Sequence, residues 1–123
     1  MSKILIIDDD EQIRNLFSRK LGSLGYETFT ADDGDIGLVE FRVNKPDLIL
    51  VDIIMPRKEG IELIREIIAE SPKAKIIAIS AGGRGNASDY LDYAKKFGAR
   101  KVLEKPVDLN VMADVVAEVL KMD

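Results

Sequence analysis

The segment KILIIDDD, residues 3–10, decides the fold, because an uninterrupted apolar run ends abruptly in three aspartates. Lys3–Ile7 shows no alternation of polar and apolar side chains, which is typical of a strand buried on both faces of a parallel sheet. Doubly wound sheets form their sites outside the carboxyl ends of such strands. The segment therefore predicts both an α/β fold and a carboxylate-rich site.

Outward from this segment, short apolar runs alternate with segments of helical period along the whole chain. Strands are predicted at Lys3–Ile7, Tyr26–Ala31, Leu48–Val51, Lys75–Ser80 and Lys101–Glu104. Helices are predicted between Asp10 and Gly25, and near Asp35–Asn44, Ile61–Glu70, Ser88–Phe97 and Leu109–Lys121. Because each parallel connection needs a right-handed crossover, this alternation predicts a (βα)₅ doubly wound parallel sheet covered on both faces.

The helical period also predicts which side chains of the first and last helices are buried. In the first helix they are Ile13, Leu16, Phe17, Leu21 and Leu24. In the last helix they are Val111, Met112, Val115, Val116, Val119 and Leu120.

Length and charge limit the classes of protein to which the chain can belong. Its 123 residues suit one domain, residues 1–123, with no output domain in this chain. A net charge of −4 argues against binding to nucleic acid or to anionic membranes. No apolar stretch reaches about 18–20 residues and no signal peptide is recognisable, so we expect a cytoplasmic location and no membrane association.

Two residue types are missing from the sequence, and their absence restricts the chemistry. The chain has no cysteine, which excludes disulfides, thiolate metal sites and cysteine nucleophiles. It has no histidine, which excludes imidazole bases and phosphohistidine carriers. Any phosphoryl chemistry must therefore use carboxylates, hydroxyls and lysine, together with a metal ion.

Polar side chains follow four of the five predicted strands, and these are the candidate site residues. Strand one ends in Asp8-Asp9-Asp10, strand three in Asp52, strand four in Ser80 and strand five in Lys105-Pro106. If the strand order is 2-1-3-4-5, strands one and three are neighbours and these side chains converge in one pocket.

The chemistry of this set favours phosphoryl transfer to a carboxylate. Converging carboxylates with oxygen ligands only indicate a hard divalent cation, with Mg²⁺ preferred. Asp52 is then the predicted nucleophile, Lys105 the partner of one phosphoryl oxygen and Ser80 a hydrogen-bond donor to another. Asp10 is interpreted mainly as a helix cap.

The motifs ILIIDDDEQIR, PDLILVDIIMP, the Gly60 that follows, KIIAISA and FGARKVLEKP together resemble response-regulator receiver domains over essentially the whole chain. The resemblance implies a flavodoxin-like fold with strand order 2-1-3-4-5. It implies Mg²⁺-dependent transfer of a phosphoryl group from a partner histidine kinase or phosphotransfer protein, and slow self-hydrolysis. It also implies that phosphorylation changes the affinity of the chain for a downstream protein. The chain would be a signalling receiver with no enzyme activity beyond its own phosphoryl transfer and slow dephosphorylation.

The resemblance also assigns roles to single positions. Asp8 and Asp9 match the metal-binding acidic pair, Asp52 the phosphorylated aspartate and Ser80 the switch hydroxyl. Lys105 matches the lysine before a proline whose peptide bond is often cis, and the backbone carbonyl of Ile54 matches the third metal contact. The implied partner surface is formed by the helix near 88–97, strand five and the last helix, in a monomer or weak dimer.

One position departs from the family pattern, and two others leave the lifetime of the phosphoryl group undecided. Val102 replaces the Tyr or Phe that usually accompanies the switch hydroxyl, so a rotating aromatic cannot report phosphorylation. The positions that tune dephosphorylation are Ile54 and Gly82, and their opposing effects leave the lifetime of the phosphoryl group undecided.

Alternative functions remain at this point. A haloacid-dehalogenase-type phosphohydrolase would use Asp8 and Asp10 as its Asp-x-Asp, although Gln12 stands where a Thr is expected. A receiver fold that serves only as a phosphorylation-independent interaction module is the other alternative. An FMN carrier is disfavoured, because the aspartates after strand one would repel the phosphate of the flavin.

Overall fold

Five parallel strands form one sheet in the computed structural model of the chain, which describes residues 1–53, 60–81, 92 and 94–122. The strands are β1 (Lys3–Ile7), β2 (Glu27–Ala31), β3 (Leu48–Asp52), β4 (Ile76–Ala81) and β5 (Lys101–Lys105). They lie in the order β2-β1-β3-β4-β5. The predicted fold and strand order are therefore confirmed.

Helices cover both faces of this sheet. They are α1 (Glu11–Ser23), α2 (Gly34–Asn44), α3 (Gly60–Glu70) and α4 (Leu109–Leu120). Half of the helix predicted near 88–97 lies outside the described residues, although residues 92 and 94–96 have helical backbone. Within the described part of the chain, none of the helices has the length and apolar character that a bilayer crossing requires.

The core consists of two layers, one on each face of the sheet, because successive side chains of a strand point to opposite faces. Leu5 and Ile7 of β1 belong to the layer under α2 and α3, whereas Ile4 and Ile6 belong to the layer under α1 and α4. β3 is buried along its whole length. β1 and β3 thus have no solvent-facing side, as their apolar runs predict.

Three side chains that the helical period places in the core are instead half-exposed. Leu16 is 49%, Leu24 53% and Val111 50% exposed. In α1 only Phe17 and Leu21 are buried, so the stripe that faces the sheet is narrower than the helical period predicts. Leu16 lines an open, mainly apolar groove of about 430 Å³, shared with Pro106 and Val107.

Candidate functional site

The strand register brings the predicted site residues to one edge of the sheet. Ile7 of β1 pairs with Val51 of β3, so that Asp8 and Asp52 follow side by side. Asp52 pairs with Ile79 of β4, directly before Ser80. Lys105 is the last residue of β5, and its backbone pairs with that of residue 81. The convergence expected from the strand order is thus present.

Three of the aspartates form a carboxylate cluster. One carboxylate oxygen from each of Asp8, Asp9 and Asp52 lies within 4.8 Å of the others. Asp8 and Asp52 are only 2% and 4% exposed, whereas Asp9 is exposed to solvent. Two carboxylates at this depth repel each other strongly unless a cation lies between them. The three side chains offer only oxygen ligands, and Asp9 is accessible to solvent. The cluster therefore suits a hard divalent cation.

Lys105 supplies positive charge to the same cluster. Its Nζ lies 3.1 Å from Asp8 Oδ2 and 3.2 Å from Asp52 Oδ2. The peptide bond between Lys105 and Pro106 is cis. A single ammonium thus contacts both buried carboxylates, at hydrogen-bond distance from each.

The electrostatics of this contact keep the lysine charged. Partial burial lowers the pKa of Lys105, but the attraction of Asp52 and of Asp8 outweighs it and leaves the pKa above the ordinary value of 10.5. Lys105 is therefore a permanent cation at neutral pH, and it can offset negative charge on whatever binds beside Asp52.

Ser80 contributes a hydroxyl that is completely buried. The residue is 0% exposed, and its Oγ has no hydrogen-bond partner among the described residues. A buried hydroxyl without a partner costs about 1–3 kcal/mol. Ser80 is therefore ready to gain a hydrogen bond if an acceptor enters the pocket.

Asp10 does not join the carboxylate cluster. Its Oδ1 accepts hydrogen bonds from the backbone N–H groups of Gln12, at 2.9 Å, and Ile13, at 3.4 Å. The interpretation of Asp10 as the N-cap of α1 is confirmed. The Asp8–Asp10 pair that a phosphohydrolase would need is consequently not assembled, since Asp10 is engaged with the helix.

Gly60 packs closely against the backbone at the end of β3, next to Asp52. A Cβ added at Gly60 would lie 2.3 Å from the Ile53 Cα and 2.5 Å from the Asp52 carbonyl oxygen. The Gly60 N–H also donates a hydrogen bond to the Ile53 carbonyl, at 3.1 Å. The start of α3 can approach the end of β3 this closely only because residue 60 has no side chain.

Three further positions that the sequence singles out are Ile54, Gly82 and Val102. Ile54, whose carbonyl is the third predicted metal contact, and Gly82 both lie outside the described residues. Val102 is described, and it packs partly buried against the core layer under α2 and α3. It therefore fills space in the core, as a small branched side chain should.

Sequence reasoning missed Arg14. Its Nη1 donates a hydrogen bond to the backbone carbonyl of Asp8, at 2.8 Å. An arginine near the N-terminus of a helix is unfavourable for the helix dipole, which prefers acidic side chains there. A basic residue near the start of α1 was therefore the feature of the sequence that could have indicated another role for Arg14.

Comparison with known proteins gives one consistent family. The family model described as the response regulator receiver domain matches residues 4–117. Sporulation initiation phosphotransferase F from Bacillus subtilis is 32% identical over 120 residues, which cover 98% of this chain and 94% of that protein. Chemotaxis protein CheY from Treponema pallidum is 32% identical over 122 residues, covering 97% of this chain and 83% of that protein.

Solved structures agree with these relatives. The receiver domain of NtrX from Brucella abortus superposes with a TM-score of 0.90 at 31% identity, covering 98% of this chain and 99% of that domain. In a longer NtrX chain from the same organism, the match covers 27% of that chain. The same fold thus occurs within proteins much longer than 123 residues.

Proposed function

The chain belongs to the response regulator receiver domain family of two-component signalling systems, and on that premise we propose that Asp52 is its phosphoacceptor. The observation that carries this proposal is the cluster in which buried Asp52 lies beside Asp8 and Asp9 and contacts the Lys105 ammonium. Receiver domains interact with kinases or phosphotransfer proteins. Because this chain has no histidine, we propose that the phosphoryl group comes from another molecule, with a kinase or phosphotransfer protein as the physiological donor.

The proposed reaction is an in-line displacement at phosphorus. A carboxylate oxygen of Asp52 forms the new bond to phosphorus, and the phosphorus–nitrogen bond of the donor's phosphohistidine breaks. The electron pair of that bond leaves with the donor imidazole. The product is an acyl phosphate on Asp52, whose slow hydrolysis would return the carboxylate.

The cluster suits the Mg²⁺ that receiver domains normally use. We propose that Asp8, Asp9, Asp52 and the backbone carbonyl of Ile54 hold it, where it would neutralise charge that develops on the transferred group. Lys105 would offset charge on one phosphoryl oxygen through its ammonium. Ser80 would donate its hydroxyl proton to another, and so satisfy the buried oxygen that lacks a partner.

The proposed output is a change in affinity for a downstream protein. Val102 packs in the core and cannot act as a rotating aromatic reporter. We therefore expect the readout to depend on the segment between β4 and β5, which contributes to the implied partner surface together with β5 and α4. Phosphorylation-independent binding is the contrasting outcome, in which a downstream protein would bind equally well to the modified and unmodified chain.

Asp52→Asn tests the proposal directly, with Asp114→Asn as the control because Asp114 is exposed on α4 and is not one of the clustered carboxylates. Acetyl phosphate with Mg²⁺ should add about 80 Da to the wild type and to the control, and nothing to Asp52→Asn or to samples with EDTA. ATP alone should leave the mass unchanged. Borohydride trapping followed by peptide mapping identifies the modified residue, and a label on Asp8 would refute the assignment in favour of a phosphohydrolase.

A further inference from the structure

Every backbone and side-chain polar group of Asp8 has a described partner. Its N–H donates to the Ala31 carbonyl at 3.1 Å, and its Oδ1 accepts from the Asp10 N–H at 2.9 Å. Its Oδ2 contacts the Lys105 ammonium at 3.1 Å. Its carbonyl accepts from Arg14 Nη1 at 2.8 Å. Among these partners, Arg14 is the charged side chain that lies outside the cluster and has no assigned role.

The sheet itself does not satisfy this carbonyl. Asp8 follows Ile7, which is the last residue of β1 paired with either neighbouring strand. A backbone carbonyl at this depth needs a donor, and the guanidinium of Arg14 reaches back from α1 to provide one. A hydrogen bond from a charged donor is roughly twice as strong as one between neutral groups.

The carbonyl that Arg14 holds belongs to the peptide bond between the two aspartates of the acidic pair. A peptide unit is planar, so fixing its oxygen fixes the directions in which the Cα atoms of Asp8 and Asp9 leave it. Asp9 is exposed to solvent, whereas Asp8 is buried. The orientation of this peptide therefore governs how well both carboxylates face one cation.

We propose that Arg14 is a positioning residue that orients the Asp8–Asp9 peptide and thereby sets the affinity of the cluster for a divalent cation. This inference rests on the proposed function, because it assumes that Asp8 and Asp9 hold the metal. Arg14 touches neither the metal nor the phosphoryl group. It acts through the backbone of Asp8.

Charge and positioning predict opposite signs for the effect of Arg14 on metal binding. A guanidinium close to the cluster repels a cation, so removal of its charge alone would tighten Mg²⁺ binding. Loss of the hydrogen bond would loosen the peptide and weaken Mg²⁺ binding. Groups that orient metal ligands typically contribute 10- to 100-fold to affinity, roughly, when they are mutated. We therefore expect positioning to outweigh repulsion.

The test compares Arg14→Met, which keeps an unbranched apolar stem, with Arg19→Met, which removes the same charge from an exposed position of α1. The chain has no tryptophan, so Mg²⁺ titrations are followed by amide NMR shifts of the full chain. We expect the Mg²⁺ dissociation constant to rise about tenfold in Arg14→Met and to stay unchanged in Arg19→Met. Arg14→Lys, which retains a charged donor, should recover part of the affinity.

A role in stability alone would lower the unfolding midpoint of Arg14→Met without changing the dissociation constant of the folded protein, and this result would overturn the inference. If Arg14→Met does not fold, the backbone ¹³C carbonyl shift of Asp8 decides the matter in Arg14→Lys. A shift identical to that of the wild type, together with weaker Mg²⁺ binding, would also overturn it. A wild type that binds no Mg²⁺ would refute the proposed function itself, whereas unchanged binding in Arg14→Met refutes only the role of Arg14.

Discussion

Lys105 Nζ lies 3.2 Å from Asp52 Oδ2, so the residue proposed to accept the phosphoryl group is already paired with a cation. The same ammonium contacts Asp8 at 3.1 Å. The lysine thus neutralises part of the charge that would attract a metal ion. Lys105 and the proposed divalent cation would compete for the same carboxylates, although both would favour an anionic group on Asp52.

Replacement of Lys105 by Met should therefore tighten Mg²⁺ binding. The loss of one positive charge in contact with the same carboxylates should lower the Mg²⁺ dissociation constant about tenfold, after allowance for solvent screening at a partly exposed site. Lys101→Met is the matched control, because Lys101 lies on the same strand and its exposed ion pair with Glu118 is distant from the cluster. Unchanged Mg²⁺ affinity in Lys105→Met, measured by NMR titration, would contradict the competition.

The raised pKa of Lys105 predicts how stability depends on pH. Burial lowers this pKa, but Asp52 and Asp8 raise it further, so the folded value lies above the ordinary 10.5. A group with a raised folded pKa stabilises the protein below its unfolded pKa, and this contribution disappears as the pH rises through the folded pKa. Without Mg²⁺, the excess stability of the wild type over Lys105→Met should be constant from about pH 7 to 9 and shrink above about pH 10.5.

Urea unfolding at each pH measures this difference, with Lys101→Met again accounting for general effects of alkali. A difference that declines already near pH 8 would show that the ammonium is not held by the two carboxylates. One that persists unchanged above pH 11 would show that charge is not the cause.

The strands could be predicted from their apolar runs, whereas their order was implied by the family resemblance. Lys3–Ile7 and Leu48–Val51 are apolar at successive positions, which only a strand covered on both faces can accommodate. Burial on the helices was predicted less well, since Leu16 and Val111 fit the helical period yet are half-exposed. A spacing of three and four residues marks the centre of an apolar stripe, but the width of the stripe depends on how the helix lies against the sheet.

Gly60 offers a prediction about how the fold positions Asp52. In Gly60→Ala the new Cβ would meet backbone atoms of Ile53 and Asp52, which cannot move aside without displacing β3. We expect a loss of about 3 kcal/mol in the free energy of unfolding. Gly22→Ala is the control, because a Cβ there has nothing within 4 Å and α1 should gain up to about 1 kcal/mol. Urea denaturation measures both, and a Gly60→Ala protein as stable as the wild type would contradict the close approach.

The site could be predicted in its composition but not in its connections. Asp8, Asp52 and Lys105 follow strands whose order was expected, so their convergence was predictable. The hydrogen bond from Arg14 to a backbone carbonyl was not, because side chains that serve backbone groups leave no pattern of residue types. The close approach of Gly60 to Asp52 likewise depends on packing between elements, which spacing along the chain does not encode.

Ser80 allows a test in which the same substitution has opposite effects in two states. Its buried hydroxyl has no partner among the described residues, so Ser80→Ala should raise the free energy of unfolding by up to about 1–2 kcal/mol in the unmodified protein. Ser18→Ala is the control with the opposite sign. The Ser18 hydroxyl pairs with that of Thr28 at 2.7 Å, and its removal should cost about 1 kcal/mol.

Beryllium fluoride with Mg²⁺, which imitates the phosphoryl group on Asp52, should reverse the effect of Ser80→Ala. In that state the wild-type hydroxyl gains an acceptor, so the wild type should be stabilised by the mimic more than Ser80→Ala is. Ser18→Ala should respond as the wild type does, since its hydroxyl lies away from the pocket. Thermal unfolding with and without the mimic measures the difference, and equal stabilisation of wild type and Ser80→Ala would mean that Ser80 does not contact the group on Asp52.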